Sequence, residues 1–159
     1  SLAHMRYVIL HNIRSKYNVG AIFRTADAAR VSKIFLTGYT PSPLDRFGRV
    51  DTEIMKTSLG AADTVSFEYV ATIETVLERL KADGVEVVAV EIADGSVSLY
   101  DYKPAQNVAY IFGNEVEGVP KDVLDRVDHI LEIPMGGQKE SLNVSVTAGV
   151  VLLHHPYEE

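Results

Sequence analysis

At 159 residues, 47% of them hydrophobic, and with a formal net charge of −7, the chain is long enough to bury one core and too short for two ordinary domains. The absence of cysteine excludes disulfides, zinc–thiolate sites and thiol nucleophiles, and no apolar run is long enough to be read as a membrane span. The charge is unevenly spread: residues 1–56 hold nine Lys/Arg against four Asp/Glu, and the remainder six against eighteen, so a local basic surface is compatible with an acidic whole.

The opening SLAH, residues 1–4, has no periodicity and reads as an appended scar ahead of an initiator Met5, which leaves 5–159 as a single domain. With no leader pattern, the expected compartment is the cytoplasm. RYVILH at 6–11 predicts a buried strand, and NVGAIFRTADAARV predicts a helix whose Val19, Ile22, Phe23 and Ala26 recur at helical spacing. KIFLTG at 33–38 is a second strand, completing a strand–helix–strand unit of the kind that builds parallel sheets. YTPSPLDRFGR at 39–49 carries no period and reads as a long binding loop, followed by a short helix within 50–62. TVSFEYV reads as a strand, then TIETVLERLKADG as a helix with Thr72 as N-cap and Gly84 past its end. VEVVAVEI and NVAYIFG are further strands, VPKDVLDRV a helix with Pro120 in its first turn, HILEIPM the last strand, and 141–153 a closing helix.

This order predicts an α/β fold: a mostly parallel sheet of five or six strands flanked by helices. In such sheets ligands gather beyond the carboxyl ends of the strands, which directs attention to the loops after residues 11, 37, 91, 112 and 133. Neither G-x-G-x-x-G nor a P-loop nor a G-x-S-x-G elbow is present. The adjacent His154 and His155 point about 100° apart on a helix, so no metal site is expected.

Three stretches carry candidate chemistry. On the first helix Gly20, Arg24 and Asp27 share a face, and Arg24 leans back over the open Gly20, near the positive end of the helix dipole, as suits an anion site; a surface pair between Arg24 and Asp27 is the alternative. In YIFGNEVEGVP, Gly113 would admit a ligand close to the backbone and Glu115 could accept from a ribose or pair with Arg24; a tight turn with a solvated glutamate is the alternative. In EIPMGGQKESLNVSVTAGV, Ser141 or Glu140 starts a helix that is apolar nearly all round, as in a core or a subunit contact. Its Asn143, Ser145 and Thr147 exceed what capping by Ser141 needs.

Taken in order, N-x-G-x-x-x-R-T-A at 18–26, F-G-N-E-x-x-G at 112–118 and I-P-M followed by S-L-N-V-S within 133–145 resemble the three motifs of the SpoU (TrmH-type) RNA methyltransferases of the SPOUT superfamily, over essentially the whole chain from Met5. The resemblance implies S-adenosylmethionine-dependent methylation of a ribose 2'-hydroxyl in tRNA or rRNA, with tRNA favoured. It also implies a C-terminal trefoil knot, an exception to the rule against threaded chains, and a homodimer with the first and last helices near the contact. The cofactor is then expected among Val90, Glu91, Gly113, Ile133, Met135, Ser141 and Leu142. Arg24 matches the catalytic arginine, with Asn18, Glu115, Ser141 and Asn143 at the remaining motif positions. A guanidinium is a very poor proton acceptor, so Arg24 is expected to orient the hydroxyl and stabilise developing alkoxide. Arg14, Lys16, Arg30, Lys33, Arg46 and Arg49 are the expected phosphate contacts.

Overall fold

In the first strand, β1 (Arg6–His11), successive side chains turn to opposite faces and both faces are apolar, so the strand must be covered on two sides. The computed structural model describes residues 4–155; residues 1–3 of the expected scar lie outside the described residues. Val8 and Leu10 pack against helix α1 (Lys16–Ala28), while Ile9 faces the opposite layer. The remaining elements are β2 (Lys33–Thr37), α2 (Thr52–Thr57), β3 (Phe67–Val70), α3 (Ile73–Ala82), β4 (Glu86–Val90), β5 (Val97–Ser98), β6 (Val108–Phe112), α4 (Lys121–Leu124), β7 (His129–Glu132) and α5 (Val144–His154). Helices α1, α2 and α5 cover one face of the sheet, and α3 and α4 the other.

The sheet has seven strands in the order β3-β2-β1-β6-β4-β7-β5, rather than five or six. Every pairing is parallel. The strand without a readable signal is β5, because two residues carry no alternation. Since all strands run one way, their carboxyl ends share one edge. The chain leaves β1 toward α1 on one face and β6 toward α4 on the other, so these two neighbours form a topological switch point with a crevice above it.

One helix start is corrected, and one expected cap residue is found in place. The last helix begins at Val144, and its N-cap is Asn143, whose side chain accepts from the Ser145 N–H; Ser141 and Leu142 belong to the preceding loop. Thr72 occupies the N-cap position of α3 without a side-chain hydrogen bond. Gly20 is also not open space beneath Arg24. It is buried against α2, where a Cβ would collide with Thr57 Oγ1 and lie 3.1 Å from the Ile54 carbonyl.

Arg6 is buried in β1 at 5% exposure. Its Nη1 donates to the Ala29 carbonyl (2.8 Å) at the end of α1, and its Nη2 to the Leu152 carbonyl (2.7 Å) in the last turn of α5. Orphan carbonyls and the negative ends of two helix dipoles thus compensate a buried cation. Arg6→Met is expected to lower stability by roughly 2–4 kcal/mol, because charge-assisted bonds are lost and the carbonyls stay buried. Urea unfolding checks this: an unchanged midpoint would show that the fork contributes nothing.

Lys33 and Arg79 converge on Glu68 at 2.7 and 2.8 Å. Hydrogen bonds from Arg79 and then Lys33 hold the Glu68 carboxyl down at about 2. A carboxylate depressed on folding stabilises the native state above its unfolded pKa, and that contribution is lost as pH falls toward the folded one. Part of the acid destabilisation between about pH 4.5 and 2 should therefore vanish in Glu68→Gln. Denaturation midpoints at pH 6 and 3 for both proteins test it, and equal losses would refute it.

Candidate active site

Three loops at the carboxyl edge of the sheet enclose an open cleft of about 180 Å³. They follow β4, β6 and β7, and the start of α5 closes the side with Val144 and Thr147. Each loop is fixed by its own sequence. Gly113 ends β6 where the chain doubles back on itself: a Cβ there would lie 2.5 Å from the Gly118 carbonyl carbon and 2.6 Å from Val119 N. Gly118 has φ +70°, and a Cβ on it would collide with the Glu91 carboxylate. Glu91 in turn accepts from the N–H groups of Val119 and Ile92, both at 3.0 Å, tying the β4 loop to the β6 loop.

Asn114 is satisfied on both sides. Its Oδ1 accepts from the Val116 and Glu117 N–H groups, and its Nδ2 donates to the Asn12 carbonyl and to Tyr39 Oη, each at 2.9 Å. One side chain therefore shapes the β6 loop and ties it to the loops after β1 and β2. The sequence reading passed over Asn114 and Tyr39; the available signal was an Asn opening a turn directly after a buried strand.

Glu115 spans the switch point. Its carboxylate accepts from the N–H groups of Arg14 and Ser15 at 2.9 Å and from Asn18 Nδ2 at 3.1 Å. Burial opposes its ionisation, but the Arg14 and Ser15 amides and Asn18 outweigh that cost and hold the carboxyl below its ordinary value. It therefore sits as a fixed anion bracing the loop that leads into α1. Of the two partners expected for it, Arg24 is in no ion pair with Glu115 among the described residues, and the three bonds that the carboxylate accepts come from the chain itself. Asn18 is buried and serves the same brace. Ser15 caps α1 through the Asn18 N–H.

All seven expected cofactor residues, Val90, Glu91, Gly113, Ile133, Met135, Ser141 and Leu142, line the cleft. Of the expected catalytic residues, Glu115 and Ser141 also line it, whereas Arg24, Asn18 and Asn143 do not. Asn143 is exposed and directs its Oδ1 to Ser145 as a helix cap. Arg24 is exposed on α1, and no ion pair among the described residues includes it. The alternative Arg24–Asp27 pair is absent, and Asp27 instead accepts from Thr64 Oγ1. His11, at the same edge, is buried and bonded to Thr37 Oγ1 at 2.8 Å; burial pushes its imidazole below the ordinary histidine value.

The six expected phosphate contacts do not share one surface. Arg14, Lys16, Arg46 and Arg49 lie in loops or helix starts beyond the carboxyl ends of β1 and β2, whereas Arg30 precedes β2 and Lys33 is its first residue, at the opposite edge. Lys16 is held by Asp51 at 2.7 Å, Arg49 by Asp45 at 2.9 Å, and Lys33 by Glu68. Arg46 and Arg49 both lie against the exposed Phe47 ring, at 4.8 and 5.0 Å.

Five glutamates line the cleft, at 91, 115, 117, 132 and 140, and its lining contains no Lys or Arg. Apolar walls from Phe112, Leu131, Ile133 and Leu142 complete it. That donor set fits a cationic ligand with an apolar planar part, such as an adenosyl sulfonium, and disfavours a phosphate-rich one. Fold and site together define an α/β protein, with helices on both faces of a parallel sheet, that takes its ligand at the carboxyl edge.

The SpoU rRNA Methylase family matches residues 5–153, and the chain belongs to that family. It is 33% identical over 145 residues to the 23S rRNA (guanosine-2'-O-)-methyltransferase RlmB of Neisseria meningitidis serogroup B, covering 91% of this chain and 55% of that protein. It thus spans about half the length of the curated relatives it matches. Among solved structures, an AdoMet-bound rRNA methyltransferase from Sinorhizobium meliloti superposes with TM-score 0.85 at 30% identity, over 96% of this chain and 56% of that one. A protein solved in a study of 2-OH methylation of C/U34 on tRNA superposes with TM-score 0.80 at 28% identity, over 95% and 93%. Among the described residues no helix is long and apolar enough to cross a membrane.

Proposed function

We propose that this chain is an S-adenosylmethionine-dependent RNA methyltransferase acting on a ribose 2'-hydroxyl, with ribosomal RNA as its substrate. The observation that carries the reading is the acidic, cation-free cleft at the carboxyl edge of a SpoU-family sheet. S-adenosylmethionine supplies an electrophilic methyl group on a sulfonium. Glu91, Gly113, Ile133, Met135, Ser141 and Leu142 would hold it, with backbone groups and apolar side chains facing the adenosyl part.

The chemistry left to the protein is alignment and charge. The cofactor would supply its methyl group to the ribose 2'-oxygen and leave as the neutral thioether, and the hydroxyl proton would pass to water or phosphate. Arg24 donates to the oxygen as negative charge develops on it. Asn18 and Glu115 act one layer back, fixing the loop from which α1 starts.

Arg24 lies outside the cleft of its own chain, next to Thr25, which faces Gly149 of α5. On α5, Val146, Val150 and Leu153 are exposed at 50%, 37% and 55%. Pairing of two copies across this apolar face would bury it and carry Arg24 toward a cleft, which supports a homodimer. The position of β7 between β4 and β5, with β5 earlier in the chain, supports a knotted C-terminal part.

Support for ribosomal RNA comes from the relatives named as 23S rRNA methyltransferases. A second reading, transfer RNA, is favoured by the C/U34 structure, which matches over nearly its full length. Incubation with methyl-labelled S-adenosylmethionine and separate rRNA and tRNA fractions, followed by ribose mapping, tests both. Label in rRNA is expected; label confined to tRNA selects the second reading, and label in neither defeats the proposal.

A further inference from the structure

Among the exposed tyrosines, Tyr39 at 57% and Tyr69 at 50% stand close together at the carboxyl edge of the sheet. Exposed aromatics are commonly mobile, but these two are pinned. Tyr39 Oη accepts from Asn114 Nδ2 at 2.9 Å, and the Tyr39 N–H donates to Asn12 Oδ1 at 3.2 Å. The Tyr69 hydroxyl donates to the carbonyl of Gly38 at 2.6 Å, directly before Tyr39. The turn beneath is closely fitted: Asn12 and Gly38 have φ of +56° and +63°, and a Cβ on Gly38 would strike Asn12 Oδ1. With both hydroxyls bound to the protein, the rings offer mainly their faces to a ligand.

The surroundings indicate which ligand. Asn114, which holds Tyr39, also lines the cofactor cleft. Arg14, exposed on the adjoining loop and in none of the described ion pairs, has its backbone fixed by Glu115. A fixed aromatic face beside a free guanidinium, at the rim of a cleft whose carboxylates repel phosphate, is the combination that binds an unpaired nucleotide. We propose that Tyr39 is the stacking platform for an unstacked nucleobase of the RNA substrate, positioned by Asn114, with Arg14 on the adjacent phosphate. This rests on the RNA methyltransferase reading and adds that the substrate is single-stranded at the modified site.

The test is binding of a short single-stranded RNA carrying 2-aminopurine, followed by its fluorescence without S-adenosylmethionine. Tyr39→Ala should weaken binding about five-fold or more, as loss of one base stack does. Tyr39→Phe, which keeps the ring, should stay within about three-fold of the parent, since stacking and not the hydroxyl provides the affinity. The salt dependence should flatten in Arg14→Ala and stay unchanged in Tyr39→Ala, because only the former removes a phosphate contact. Equal binding by Tyr39→Ala, or equal weakening by Phe and Ala, overturns the proposal. So does a change of sedimentation in Tyr39→Ala, which would make the patch a contact between copies. Failure to methylate any RNA while the Tyr39 effect persists would instead strike only the methyltransferase reading.

Discussion

Replacing Arg24 with alanine is expected to slow methyl transfer about 100-fold or more, while S-adenosylmethionine affinity and melting temperature stay as they are. The magnitude is that of removing a donor aimed at developing negative charge in a site shielded from water. The selectivity follows from placement. Arg24 is exposed and outside the cleft lining, and alanine is a good helix former, so neither α1 nor the cofactor site loses a contact. Arg24→Lys keeps the charge and loses the planar fork, and should recover only part of the rate. Single-turnover transfer with cofactor binding measured in parallel separates these effects. A rate equal to the parent's would remove Arg24 from the mechanism.

Gly113→Ala is expected to cost roughly 1–3 kcal/mol of stability and to weaken S-adenosylmethionine binding about ten-fold or more, because overpacking at this point cannot be relieved by a rotamer change. The new methyl group would meet only backbone, the carbonyl carbon and oxygen of Gly118 and the amide of Val119, at 2.5–2.6 Å. The 114–118 loop would have to shift, taking Asn114 and Glu115 with it. Gly137→Ala is the matched control: nothing lies within 4 Å of a Cβ there, and it should behave as the parent. Calorimetric titration of both variants decides, and equal affinities would show that the doubled-back loop does not shape the cleft.

Much of the fold was legible because parallel strands covered on both faces read as short apolar runs between helical patterns; β1, β2, β4 and β6 are of this kind. What escaped was β5, whose two residues are specified by their neighbours alone, and the start of α5. Ser141 and Leu142 carry helix-like spacing yet line the cleft from a loop, and the cap falls on Asn143. The residues that line the cleft were legible from loops following strand ends. The roles of the glycines were not. Gly20 looked like open space beneath Arg24 and Gly113 like room for a ligand beside the backbone; a Cβ at either would meet the chain's own atoms, at α2 and at the 118–119 backbone. Composition cannot distinguish these cases, because the same missing Cβ serves either. The engagement of Glu115 by Arg14 and Ser15 likewise depends on backbone amides about 100 positions away, which no side-chain pattern announces.

The strand order also governs how the chain reaches this state. β1 pairs with β6, its residues Arg6 and Tyr7 opposite Val108 and Ala109, so the centre of the sheet waits for contacts between segments about 100 residues apart. β5 pairs only with β7, so neither strand has its place in the sheet until β7 docks on β4. Non-local pairings of this kind slow folding, since loop closure precedes the gain in contacts. Docking of β7 on β4 is therefore expected to come late and to bring β5 with it, so that the cleft walls at 131–142 form after the β1–β6 centre of the sheet. Refolding followed by cofactor-binding competence should lag behind refolding followed by helix signal, and a chain released before β7 is made would leave the edge of β4 unpaired and β5 without a place in the sheet.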